Sequence, residues 1–166
     1  MPEKQDVFKQ QVKQKGFFNY DELYKFCFTW LQEEGYDISE DKYEEKVTSF
    51  GKEVKIKWVA KKKISDYFRN IIEMKWLILG MTDAEVEIEG QKQKTNKGEV
   101  KIDVKGTLER DYEKRWENKP MWKFLRGVYD KYIIRATMEQ YEGNLIQKSS
   151  SFFEQIKAFL NLSGRQ

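Results

Sequence analysis

Histidine is absent from this sequence, and cysteine occurs once, at Cys27. Histidine is the commonest general base and the commonest metal ligand in proteins, so its absence argues against catalytic triads and zinc catalysis. A single cysteine cannot form a disulfide within the chain, and Cys27 lies between the aromatic residues Phe26 and Phe28. We therefore expect a buried, unreactive thiol in a reducing cytoplasm, and we predict no metal and no cofactor.

Long hydrophobic runs are also absent. The longest candidate, residues 76–81, is far shorter than the roughly 20 residues that a membrane-spanning helix requires. The first residues lack the apolar core of a signal peptide, and the glycines are too scattered to form a phosphate-binding loop. These absences predict a soluble protein without a membrane span or a nucleotide cradle.

The composition is typical of a folded domain with a charged surface. Hydrophobic residues make up 39% of the 166 residues and aromatic residues 15%, which is more apolar surface than a disordered chain carries. No linker, repeat or low-complexity segment divides the chain, so we predict a single domain over residues 1–166. The net charge of +3 arises from well-mixed acidic and basic residues, and it does not by itself indicate a nucleic-acid partner.

The clearest local pattern is an alternation over residues 99–112. Val100, Ile102 and Val104 share one parity, whereas lysines and carboxylates occupy the other. Such alternation is typical of a half-buried β-strand with one face against a core and the other in water. It predicts a two-faced antiparallel sheet on which the rest of the chain packs.

The remaining pattern predicts an α+β fold. Residues 1–16 fit either a short amphipathic helix or an edge strand. The N-cap Asn19 and the stop Gly35 indicate a helix near 20–34. A second helix is predicted near 120–142, ending at Gly143. A third is predicted near 150–162, with its cap within residues 149–151. The predicted strands are 43–47, 54–60, 68–78, 84–88 and 99–112. We expect a curved antiparallel sheet of about five strands in a meander, with the N-terminal helix and a long C-terminal helix packed on it.

The register of this sheet is predicted from turns and charges. Residues 96–98 suit a three-residue hairpin loop that joins the last two predicted strands. Pairing Ala60 with Phe68 places Lys55 opposite Glu73 on the outward face. We therefore expect the outward lysines to alternate with facing glutamates, which would cancel the one-signed field that a phosphate-binding face requires.

Six inward residues of the predicted sheet are candidates for a ligand site. The tryptophans can line a ligand box, and the polar residues and the glycine interrupt an apolar parity; packing and a close helix approach explain the same features. The candidates are Trp58, Asn70, Trp76, Gly106, Arg110 and Tyr112. The leading hypothesis is a non-enzymatic binding module for an apolar or amphipathic small molecule, or for a protein partner.

Two analogies bear on this hypothesis. The predicted order of strands and helices is similar to that of helix-grip carriers of lipids and small molecules, and this is an analogy of fold alone. The same order also fits α+β adaptor domains whose core is filled by side chains. An enzyme is the least favoured class, because nearly all carboxylates fall on outward positions, where surface ion pairs are ordinary.

A nucleic-acid contact is the alternative function. It would use basic residues that no nearby carboxylate opposes in the sequence, namely Lys61, Lys62, Lys63, Lys92, Lys94 and Lys97. Clustered lysines suit phosphate groups, although they also serve as solubilising or edge-protecting charges.

The predicted third strand carries apolar groups on both faces, because Leu77 and Leu79 occupy its outward parity. A sheet face left in water does not usually carry such residues. Either the N-terminal segment with Phe8 and Val12 covers them, or two copies of the chain form a homodimer there.

Overall fold

A five-stranded antiparallel sheet with helices on one face forms the fold, in a computed structural model that describes residues 3–110, 124 and 135–164. This confirms the predicted α+β class. The elements in chain order are β1 (Glu3–Phe18), α1 (Tyr20–Glu33), β2 (Asp37–Thr48), β3 (Gly51–Lys63), β4 (Phe68–Ile88), β5 (Gln91–Arg110) and α2 (Arg135–Gly164).

The strands lie in the order β1-β5-β4-β3-β2. Strands β2 to β5 form the predicted meander, and β1 pairs antiparallel with β5 at the far edge. The N-terminal segment, for which the sequence left helix and strand open, is therefore a strand. Its inward residues Phe8 and Val12 lie opposite Gly106 and Ile102, so they extend the apolar inner face of the sheet.

The predicted strands 68–78 and 84–88 form one long strand, β4, whose pairing with β5 shifts after Leu79. The chain reverses at Glu89 and Gly90, which have φ values of 52° and 78°. Both values lie in the left-handed region that tight hairpin turns require.

The hairpin loop predicted at residues 96–98 is therefore wrong, because these residues lie inside β5. A Cβ atom at Gly98 would lie only 2.9 Å from the backbone oxygen of Leu79. Glycine thus serves a close approach of two strands at this position rather than a turn.

The predicted register between β3 and β4 is also wrong. Ala60 pairs with Ile72 instead of Phe68. The reason is that β3 continues past its predicted end at residue 60, so the turn between β3 and β4 comes later than predicted. As a result, Lys55 lies opposite Leu77 rather than a glutamate. The offset is an even number of residues, so the predicted inward and outward faces are unaffected.

Helix α1 follows its prediction. The side chain of Asn19 accepts a hydrogen bond of 3.1 Å from the backbone N–H of Glu22, which is the expected N-cap contact. Gly35 follows the helix with a φ of +90°, a conformation that favours glycine after a helix. Leu23 and Cys27 are fully buried, as the apolar face of the helix predicted.

Helix α2 corrects the prediction for the C-terminal region. It continues through Gly143 and through residues 149–151, so the stop and the cap predicted there are wrong. An interior glycine costs about 1 kcal/mol, which the burial of Phe152 and Ile156 outweighs. The predicted helix over residues 120–142 falls largely outside the described residues.

The core lies between the inner face of the sheet and the two helices. Helix α2 packs on β1 and β5, and α1 packs beside β2 and against α2. Stacked rings join the helices, with centroids 4.2 Å apart for Trp30 and Phe152 and 5.6 Å apart for Phe26 and Phe159. Within the described part of the chain, neither helix is long and apolar enough to span a membrane.

Candidate functional site: a basic cleft at one end of the sheet

The inward tryptophans pack against α1. The ring centroid of Trp58 lies 5.4 Å from that of Trp76 and 4.9 Å from that of Tyr24, and both tryptophans are buried. The Nε1 atom of Trp58 donates a hydrogen bond of 2.9 Å to Glu40, which also accepts from the Tyr24 hydroxyl at 2.5 Å. These contacts support packing between sheet and helix as the role of the rings.

The polar breaks of the inner face lie at separate places. Asn70 is buried beside Tyr36, where burial raises the pKa of the tyrosine to about 12 although a hydrogen bond with Asn70 lowers it. Arg110 donates to Glu3 on the neighbouring strand and contacts the sulfur of Met138 at 3.6 Å. Both residues therefore contact protein partners, but the buried Oδ1 atom of Asn70 has no hydrogen-bond partner among the described residues.

Gly106 and Tyr112 complete the predicted set. A Cβ atom at Gly106 would lie 2.8 Å from the Ser149 hydroxyl oxygen, so the glycine permits a close approach of α2. Tyr112 lies outside the described residues. Among the five described candidates, Trp58 and Trp76 are in direct ring contact.

The two predicted basic groups lie at opposite ends of the sheet. Lys63 pairs with Arg69 near the start of β4, whereas Lys94 pairs with Glu85 near its end. At about 3.4 Å per residue this separation is roughly 50 Å. One compact ligand therefore cannot contact both groups.

In the basic group of Lys92, Lys94 and Lys97, two lysines face carboxylates across the ladder, as Lys61 faces Asp37. Lys92 and Lys94 lie directly opposite Glu87 and Glu85 in the β4–β5 ladder. The ammonium group of Lys97 lies 5.4 Å from the ring centroid of Phe17.

The other group lines a cleft of about 600 Å³. The end of β3 meets the start of β2 and the start of β4 there. The lining residues are Gly35, Asp37, Ile38, Ser39, Asp41, Val59, Lys61, Lys62, Lys63 and Arg69. The cleft therefore combines four cationic side chains with two carboxylates.

The wall of the cleft is held by local contacts. Lys62 lies over the ring of Tyr36, with its ammonium nitrogen 5.8 Å from the ring centroid. The Nη2 atom of Arg69 donates to both carboxylate oxygens of Glu109, at 2.9 and 3.0 Å. This ion pair ties Arg69 to the neighbouring strand β5.

Lys61 leaves positive charge available in the cleft. Lys61 is exposed, and no carboxylate of a described residue lies within 4.0 Å of its ammonium nitrogen, although Asp37 is its partner in the ladder. The half-buried side chains of Ile38 and Val59 add apolar surface. The cleft can therefore hold an anionic group beside an apolar one.

The sequence predicted only part of this site. The run of three lysines was visible, but Gly35, Ile38 and Arg69 come from other elements and carried no local signal. Their contribution follows from the register of β2, β3 and β4, which places distant residues side by side.

The predicted cover of the outward leucines is wrong. Strand β1 lies beside β5 and not over β4, and its apolar residues Val7, Phe8 and Val12 pack against the inner core. Leu79 remains 39% exposed. The homodimer through this face stays a prediction.

Neither a metal site among the described residues nor a comparison with known proteins identifies the role of the cleft. Among residues 3–110, 124 and 135–164, no group of three or more histidine, cysteine or acidic side chains is placed to hold a metal ion. No family model matches the chain, and no curated protein or solved structure is significantly similar to it.

Proposed function

We propose that this protein is a non-enzymatic binding module that holds a small anionic molecule in the basic cleft. The observation that carries the proposal is the exposed ammonium group of Lys61, without a carboxylate of the described residues within 4.0 Å, beside Lys62 in a cleft of about 600 Å³. Ligand sites for small molecules are typically concave and measure about 300–1,000 Å³.

The chemistry of the lining favours a ligand with a phosphate or carboxylate group and an apolar part. Lysine binds such anions as a point charge, and the side chains of Ile38 and Val59 supply apolar contact. Asp37 is an acceptor at the same cleft, so a hydroxyl or amino group on the ligand would gain a hydrogen bond. We propose a cytoplasmic location, because a lone buried cysteine suits a reducing compartment.

Calorimetric titration tests the proposal with three probes: adenosine monophosphate, inorganic phosphate and citrate. Binding of adenosine monophosphate or inorganic phosphate would indicate a phosphate-bearing ligand, and binding of citrate a carboxylate-bearing one. The variant Lys61→Gln with Lys62→Gln removes two cations from the cleft. The matched control, Lys52→Gln with Lys55→Gln, removes two from the other end of the same strand.

We expect the cleft variant to weaken binding by about 2- to 30-fold, since two exposed ion pairs of about 0.2–1 kcal/mol each are lost. The control should bind like the unmodified chain. If none of the three probes binds, or if both variants lose affinity equally, the cleft is not the binding site.

A further inference from the structure

The outward face of the sheet places lysines directly opposite one another. Lys42 pairs with Lys57, and Lys57 pairs with Lys75, so three lysines form one row across β2, β3 and β4. Like charges directly opposite each other in a sheet are destabilising. This arrangement contradicts the expected alternation of lysines with facing glutamates.

A second group continues the same face onto the other strands. Lys9 pairs with Lys105, and Lys13 pairs with Lys101, across β1 and β5. On the outward positions of the five strands, basic residues outnumber acidic ones. Among the described residues, positive charge is therefore concentrated on this face.

The carboxylates on this face are already engaged. Glu73 lies between two lysines, 3.2 Å from the ammonium nitrogen of Lys57 and 4.0 Å from that of Lys105. Asp103 is the ladder partner of Lys75, but it accepts a hydrogen bond of 2.6 Å from Gln11 instead. Lys57 and Lys105 therefore share one carboxylate, whereas Lys75 has no ion-pair partner among the described residues.

Lys9, Lys75 and Lys101 are among the lysines of this face that have no ion-pair partner among the described residues. No carboxylate of a described residue lies within 4.0 Å of the ammonium nitrogen of Lys9, Lys75 or Lys101. Lys9 and Lys75 are exposed, and Lys101 is half-buried. These three residues lie on three adjacent strands, β1, β4 and β5, so the unpaired charge is spread over a strip and not gathered in a pocket.

The dimensions of this strip fit a polyanion. The three adjacent strands β1, β5 and β4 span roughly 10 Å across the sheet, at about 4.8 Å between neighbours. A nucleic-acid duplex carries one negative charge per about 1.7 Å of its axis, so it presents a continuous row of charges over that width. A membrane surface fits less well, because peripheral binding combines positive charge with inserted apolar side chains, and of the apolar residues Val59, Leu77 and Leu79 on this face only Leu79 is exposed, at 39%.

We propose that the outward face of the sheet binds the phosphate backbone of nucleic acid without reading its sequence. Val59 and Leu77 lie among the lysines, and neither side chain can stack on a base. Contacts from lysine to phosphate position a nucleic acid but carry no sequence information. The cleft lies at one end of this face, because Val59 and Lys61 are outward residues of β3, but Lys9, Lys75 and Lys101 do not line it.

Fluorescence anisotropy with the full chain tests this inference, with labelled duplex DNA and single-stranded RNA as probes at about 50–200 mM salt. The face variant is Lys9→Gln, Lys75→Gln and Lys101→Gln, which keeps the aliphatic part of each side chain. The control removes three lysines elsewhere by Lys25→Gln, Lys92→Gln and Lys94→Gln. Both variants change the net charge equally.

We expect the unmodified chain to bind both probes with an affinity that falls steeply with salt. The face variant should bind about tenfold or more weakly, and the slope of log K against log salt should fall by about 0.9 for each lost contact with duplex DNA. The control should keep the slope. A third variant, Glu73→Gln with Asp103→Asn, should bind more tightly, and it guards against a loss caused by misfolding.

Several results would overturn the inference. These are no binding at low salt, equal losses in the face variant and the control, or equally tight binding of polyglutamate or anionic lipid vesicles. The first two exclude a specific face, and the third assigns it to an acidic protein or a membrane. The face variant retains Lys61 and Lys62, so titration of adenosine monophosphate into it tests the cleft separately.

Discussion

Gly106 offers the sharpest test of how α2 is seated on the sheet. A Cβ atom there would lie 2.8 Å from the hydroxyl oxygen of Ser149, but 3.4 Å and 3.6 Å from the next nearest atoms, in Phe8 and Leu145. The last two distances are ordinary van der Waals contacts, so one oxygen causes the whole clash. The φ of Gly106 does not lie in the left-handed region. Alanine is therefore acceptable to the backbone and is opposed only by Ser149.

The magnitude follows from two opposing effects. Overpacking a well-packed core costs about 1–3 kcal/mol, and replacing glycine by alanine recovers about 0.4–1 kcal/mol by restricting the unfolded chain. We expect Gly106→Ala to lower the free energy of unfolding by about 1–2 kcal/mol. The Ser149 hydroxyl is fully buried and has no hydrogen-bond partner among the described residues. Ser149→Ala should therefore be neutral or stabilising, by up to about 1 kcal/mol.

A double-mutant cycle measured by urea unfolding provides the assay. Gly106→Ala should cost at least about 1 kcal/mol less in the Ser149→Ala background, because the clashing oxygen is gone. In thermal unfolding, 1 kcal/mol corresponds to about 2–4 °C for a chain of this size. The control is Gly143→Ala, where no atom lies within 4 Å of the added Cβ, and it should stabilise α2 by about 0.5–1 kcal/mol. An equal cost of Gly106→Ala in both backgrounds would refute the reasoning.

Two further predictions concern titratable groups. Burial raises the pKa of Tyr36 to about 12, and burial with a hydrogen bond to Glu40 raises the pKa of Tyr24 to about 12. The tyrosines of the unfolded chain ionise first, because their pKa lies near 10. The urea midpoint of unfolding should therefore stay constant up to about pH 10 and fall as the pH rises to about 12. A midpoint that stays constant between about pH 10 and 12 would contradict this prediction. Burial also raises the pKa of the Cys27 thiol, so a thiol-reactive dye should modify it only after unfolding, and rapid labelling of the native chain would show that the site is open.

Secondary structure and the two faces of the sheet could be predicted from local patterns. The side-chain period of a strand is two, so alternation over residues 99–110 assigns each residue to a face without knowledge of its partners. The N-cap at Asn19 and the glycine after α1 are equally local, since their contacts reach only a few residues along the chain. For the same reason the inward positions of Trp58 and Trp76 were correct.

Register and turn positions were decided by the tertiary structure. A glycine in a strand pattern fits either a hairpin turn or a close approach of two strands. Gly98 was predicted in a turn, but in the structure it permits the close approach of Leu79. An even offset between β3 and β4 leaves every face unchanged, so the hydrophobic pattern cannot detect it. That offset nevertheless decides which charges are neighbours, and it places Lys57 opposite Lys75.

For the candidate sites, too, the sequence predicted the local residues and the tertiary structure decided the rest. The lysine run at residues 61–63 was visible in the sequence, because its charges are consecutive. The cleft around it also needs Gly35 and Arg69, and the lysine rows of the outer face need five strands in one register. The sequence alone thus determined the face of the sheet to which the side chains of residues 99–110 point, whereas only strand pairing decided which of them meet, because pairing joins residues that are distant in the chain.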